Sequence, residues 1–119
     1  MLEGLWVVSF LAPVDPKMNL NGGVAVIETG RLLGGDSGYY YIGDIYGESR
    51  DSWGINLRIT RHDPNIESVF GDIDTFELTG GFTQQADDSL GRTTLVARLV
   101  EAQTGIEMIV QLSKVSVLP

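Results

Sequence analysis

Trp53-Gly54-Ile55-Asn56-Leu57-Arg58-Ile59-Thr60 alternates apolar with polar side chains, residue by residue, over one unbroken run. A period of two is the signature of a β-strand with one face inward and one in water, so Trp53, Ile55, Leu57 and Ile59 are expected inside and Asn56, Arg58 and Thr60 outside. Helical periodicity is nearly absent from the rest of the chain. Comparable runs occupy 5–11, 23–28, 31–34, 39–46, 76–82, 93–101 and 106–114, which with 53–61 predict eight strands.

The connections are mostly short, such as Glu28-Thr29-Gly30-Arg31 and Ala102-Gln103-Thr104-Gly105, as in hairpins between neighbouring strands. Eight strands in neighbour-to-neighbour order either close into a barrel or split into a sandwich. Closure removes the exposed edges that invite aggregation, so the expected fold is all-β, an eight-stranded antiparallel up-and-down barrel of lipocalin-like form. Two longer connections interrupt the meander, 12–21 with Pro13 and Pro16, and 62–75 with Pro64 and Gly71, and either has room for one helical turn. The chain of 119 residues reads as one domain, with no internal repeat, low-complexity tract or linker-like shift in composition.

Composition narrows the function classes. With 43% hydrophobic and 20% charged residues the balance is that of an ordinary globular protein, and no apolar run approaches the roughly 20 residues of a spanning helix. Glu3 stands where a secretory signal carries basic residues, and the chain has no cysteine, so neither disulfides nor a thiolate zinc site can form and the cytoplasm is the expected compartment. A formal net charge of −8 repels a phosphate backbone, which speaks against direct nucleic-acid binding and favours a basic partner.

Residues that announce chemistry are scarce. The glycine pairs at 22–23, 34–35 and 80–81 are followed by no helix whose N-terminus meets an anion, and they read as strand bends rather than phosphate loops. His62 is the single histidine, at a strand end, and no serine sits in a nucleophile elbow. Asp72, Asp74 and Glu77 lie close together but lack the spacing of a calcium loop, and Asp87-Asp88 before Leu90-Gly91 reads as a hairpin tip, so no metal or cofactor is expected. The tyrosines of 39–46 divide between faces: Tyr39 and Tyr41 with Ile45, Tyr40 with Asp44 and Tyr46.

A resemblance runs through Gly4-Leu5-Trp6, Ser9-Phe10, Gly22-Gly23-Val24-Ala25-Val26, the stretch 30–43 (Gly-Arg-Leu-Leu-Gly-Gly-Asp-Ser-Gly-Tyr-Tyr-Tyr-Ile-Gly), 58–62 and Ser68-Val69-Phe70-Gly71. In these residues the chain resembles the GrlR family of type III secretion regulators. The resemblance implies a lipocalin-type barrel that dimerises and represses genes by binding a basic helix-turn-helix activator, for which an acidic surface competes with phosphate. The family's acidic Glu-Asp-Glu-Asp loop corresponds here to Gly47-Glu48-Ser49-Arg50-Asp51-Ser52, which keeps Glu48 and Asp51 but sets Arg50 between them.

The leading expectation is therefore a non-enzymatic regulatory protein, a cytoplasmic homodimer, that sequesters a protein partner through Glu48, Asp51, Tyr46 and Tyr40. A second expectation, of another class, is a carrier holding a small apolar ligand among Trp6, Tyr41, Trp53, Leu57 and Met108, which needs a cavity of a few hundred Å³. An enzyme working through a carboxylate pair in the barrel mouth is the third.

Overall fold

A computed structural model describes residues 2–12, 22–49, 52–65 and 74–118. Most of both long connections, including Gly71 and Asp72, falls outside them, and so do the helical turns envisaged there. Eight strands follow one another: β1 (Gly4–Ala12), β2 (Gly23–Glu28), β3 (Arg31–Gly35), β4 (Tyr39–Ser49), β5 (Ser52–Arg61), β6 (Thr75–Gln85), β7 (Thr94–Glu101) and β8 (Glu107–Ser116). Each pairs antiparallel with the next, and β8 returns to β1 to close an up-and-down barrel. The described residues contain no helix.

The alternation that predicted β5 governs its packing. Ile55, Leu57 and Ile59 are buried while Asn56 and Arg58 are exposed, and the same rule buries Phe76, Leu78 and Phe82 of β6 and Met108, Val110 and Leu112 of β8. Trp6, Leu78, Phe82, Leu95, Leu99 and Met108 are almost wholly withdrawn from water. Each such side chain contributes about 1.5–3 kcal/mol relative to an exposed position, so this inward column is the main source of stability.

Several inward positions, Gly34 and Gly80 among them, need glycine because backbones pass too close for a side chain. A Cβ at Gly34 would sit 2.2 Å from the Val24 carbonyl oxygen, and one at Gly80 would sit 2.0 Å from that of Arg98. The β2–β3 turn has both central residues at positive φ, Thr29 at 49° and Gly30 at 72°, the primed geometry that matches strand twist. Positive φ is costly for a β-branched residue, and Glu3 Oε2 steadies the turn by accepting from the Thr29 N–H at 2.9 Å.

β4 and β6 each run three residues beyond the ends predicted for them, to Ser49 and Gln85. In both hairpins the ladder continues through glycine and polar residues, past the point where apolar alternation marks a strand: Ser49 still pairs with Ser52, and Gln85 with Thr94.

Candidate functional site

On the outer wall of β1 to β4, two successive rows of outward positions are largely apolar. Register aligns Leu5, Val26, Leu33 and Ile42 in one row across the four strands, and Val7, Val24, Gly35 and Tyr40 in the next. Val24 and Leu33 are each 52% exposed, Ile42 49% and Tyr40 41%, while Leu5, Val7 and Val26 are half-buried. A contiguous apolar strip of this kind stands out on an otherwise acidic protein, since exposed apolar side chains are more often scattered singly. Glu28, Arg31 and Asp44 form a charged row along one side, aligned by the same register. Next to the strip lies a shallow hollow of about 430 Å³ over β4 to β6, lined by Ile42 and Asp44 of β4 with Asn56, Arg58, Glu77 and Thr79.

Tyr40 and Tyr46, two of the residues expected to bind a partner, share this outer face of β4. Tyr40 belongs to the strip. Tyr46, 52% exposed, lies toward the barrel end with its ring over Gly54, close enough that a Cβ there would be 2.5 Å from the ring. Glu48 is the penultimate residue of β4; its side chain and the whole of Asp51 lie outside the described residues.

Of the five residues expected to line a ligand cavity, four belong to the core and Trp53 packs against it. Trp6, Tyr41, Leu57 and Met108 are buried and Trp53 is half-buried, with its ring 5.4 Å from that of Phe82. Trp6 donates its indole N–H to the Leu2 carbonyl at 2.9 Å. The interior space between Phe10, Tyr41, Phe82 and Leu99 is about 20 Å³, room for a single water rather than a ligand. An eight-stranded barrel is just wide enough to be filled, and among the described residues large side chains from every strand pack into this one.

At the end of the barrel where β3 turns into β4, Asp36 is the organising group. Its Oδ1 accepts from the N–H groups of Gly38 (2.9 Å) and Tyr39 (2.8 Å), and its Oδ2 accepts the Tyr41 hydroxyl. Burial pushes the Tyr41 hydroxyl far above its usual range, and the adjacent Asp36 carboxylate adds to the shift. His62 Nε2 lies 3.0 Å from the Asp36 carbonyl oxygen, and Arg61 forms an ion pair with Asp74. These contacts secure a hairpin. Among the described residues no three His, Asp or Glu side chains gather as a metal site would require.

The opposite end is notched. β3 begins at Arg31, opposite Asp44, so residues 45–49 of β4 run on past it, with Ile45 N–H bonded to the Gly30 carbonyl at 2.8 Å as the last link. A cleft of about 230 Å³ opens below this overhang. Leu2, Ile27 and Ile45 give it an apolar floor, Trp53 lines it as an aromatic wall, Tyr46 and Gly47 border it, and Glu3 is its one charged lining residue among those described.

Of two turn carboxylates, Asp88 lies in the hairpin tip read from sequence, and Glu101 was not singled out there. Glu101 is 1% exposed and accepts from the N–H groups of Gln103 (2.7 Å) and Thr104 (3.0 Å), bonds that hold its carboxyl below the usual range. Asp88 is lowered likewise, chiefly by the Arg92 N–H. The strip also escaped that reading, although its signal is present: Leu5-Trp6-Val7-Val8 and Val24-Ala25-Val26-Ile27 are apolar on both faces, where a half-solvated strand would alternate. The chain matches no protein-family model, and no curated protein is found to match it.

Proposed function

We propose that this protein is a non-enzymatic interaction protein of the cytoplasm that works as a homodimer and holds a basic protein partner. The apolar strip on the outer wall of β1 to β4 carries the reading, because a closed barrel offers no free sheet on which to add a strand along most of its wall and must bind through side chains. A second copy suits the strip. The bordering charges alternate in sign, Glu28, Arg31, Asp44, so a two-fold-related copy can set Arg31 against Asp44 while the apolar rows meet. The net charge of −8 and the resemblance to the GrlR family support the basic partner, with Glu48, Asp51, Tyr46 and Tyr40 as its contacts.

Light scattering on the eluted protein tests the dimer. The wild-type chain should elute at twice its 12.9 kDa mass, and Leu33→Lys with Ile42→Asp should give a folded monomer. A wild-type monomer defeats the dimer. Recovery of partners by a Glu48→Lys, Asp51→Lys, Tyr46→Ala variant as efficiently as by the wild type defeats the assigned contacts.

A further inference from the structure

The notch below the β4 overhang combines features that nothing in the fold requires together. Its floor of Leu2, Ile27 and Ile45 is continuous with the core, yet the cleft stays open. Trp53 is half-buried in one wall and Tyr46 stands at the rim. Glu3 brings a carboxylate to the same cleft, fixed by the bond from Thr29 N–H to its Oε2. At about 230 Å³ the cleft falls below the roughly 300–1,000 Å³ of drug-sized sites and suits one long side chain.

We propose that this notch receives an arginine side chain projected by a protein partner. An apolar stem packs on Ile27 and Ile45, a flat guanidinium lies against an aromatic face, and the fork of N–H donors meets the Glu3 carboxylate. Lysine fits less well, because its ammonium is strongly hydrated and does not stack. An anion or a neutral apolar group would leave the carboxylate desolvated without compensation. The acidity of the whole chain adds long-range attraction. The proposal rests on the reading of the chain as an interaction protein and locates one anchor for its basic partner.

The two indole N–H signals make the test direct, since the chain has only two tryptophans, one in the notch and one in the core. N-acetyl-arginine amide should shift the Trp53 indole signal saturably and by more than that of Trp6, whose N–H is held by the Leu2 carbonyl under the floor, while N-acetyl-citrulline amide, uncharged and nearly the same shape, should shift neither. Glu3→Gln keeps an acceptor for Thr29 N–H and removes only the charge, and it should weaken binding by about fivefold. An equal response to citrulline, an unsaturated response, or unchanged affinity in Glu3→Gln overturns the proposal. The mass of the wild type in solution, read beside the Trp53 shift, separates the two readings. If arginine amide still binds while the wild type proves monomeric, the notch stands and the dimer falls; a dimer whose Trp53 signal does not move retains the dimer and refutes the notch.

Discussion

Glu101 is a carboxylate withdrawn from water and held by the amide N–H groups of its own turn, an arrangement that ties local stability to its ionisation. Its folded pKa lies below the ordinary 4.5, so the stability it contributes is fully present above that value and is lost as pH falls through the lower folded value. Glu101→Gln should cost about 1–2 kcal/mol at neutral pH, and the gap from wild type in urea melts should narrow as pH drops below 4.5. Tyr41 works in the opposite direction. Its hydroxyl is raised above the ordinary 10.0, so its contribution is present below pH 10.0 and is lost as the unfolded phenol ionises above it. In an ultraviolet titration Tyr41 should ionise only as the protein unfolds. Tyr41→Phe should cost about 1–2 kcal/mol by leaving Asp36 Oδ2 without its donor. Sequence disclosed that Tyr41 points inward, through alternation, but not that Asp36 meets it five residues away: that bond depends on how the hairpin between them folds back.

At the level of strands, alternation made β5 legible because one of its faces is wet, and β2 was bounded to the residue because glycine and the Thr29-Gly30 turn punctuate it. The outer strip was harder to see. Val24, Leu33 and Ile42 are far apart in sequence and become neighbours only once register is fixed, and register is a property of pairs of strands. Glycines show the same dependence. Gly80→Ala should destabilise by about 1–3 kcal/mol or more, since its methyl would overlap the backbone of Arg98 on the neighbouring strand. Gly54→Ala should act on a different observable. Its methyl meets the Tyr46 ring, so the ring must swing outward and the Tyr46 ring signals should move while the barrel's amide pattern persists.

For the molecule as a whole, a filled interior and a half-apolar exterior divide the labour. Stability comes from the inward column, and anything the protein recognises has to be met by the wall or the ends. Leu33→Lys with Ile42→Asp should therefore change the thermal midpoint little, because the substituted side chains are about half exposed, while changing association; a large drop in midpoint would place those residues in the core energetics. The interior was not legible from sequence, since the same inward residues suit a filled barrel and a hollow one until their volumes are set against the width of the wall.

The seam between β1 and β8 has a mechanical consequence. Leu5 pairs with Ser116, so the chain enters and leaves the barrel side by side at the same end, on two antiparallel strands bonded to each other. Force drawing those two ends apart loads the seam one rung at a time, as a zip is opened, instead of shearing all its hydrogen bonds at once. Pulled from its ends in a single-molecule trap, the barrel should yield at low force. Pulled instead between residue 5 and residue 110, the same seam is loaded along its length and should hold considerably longer.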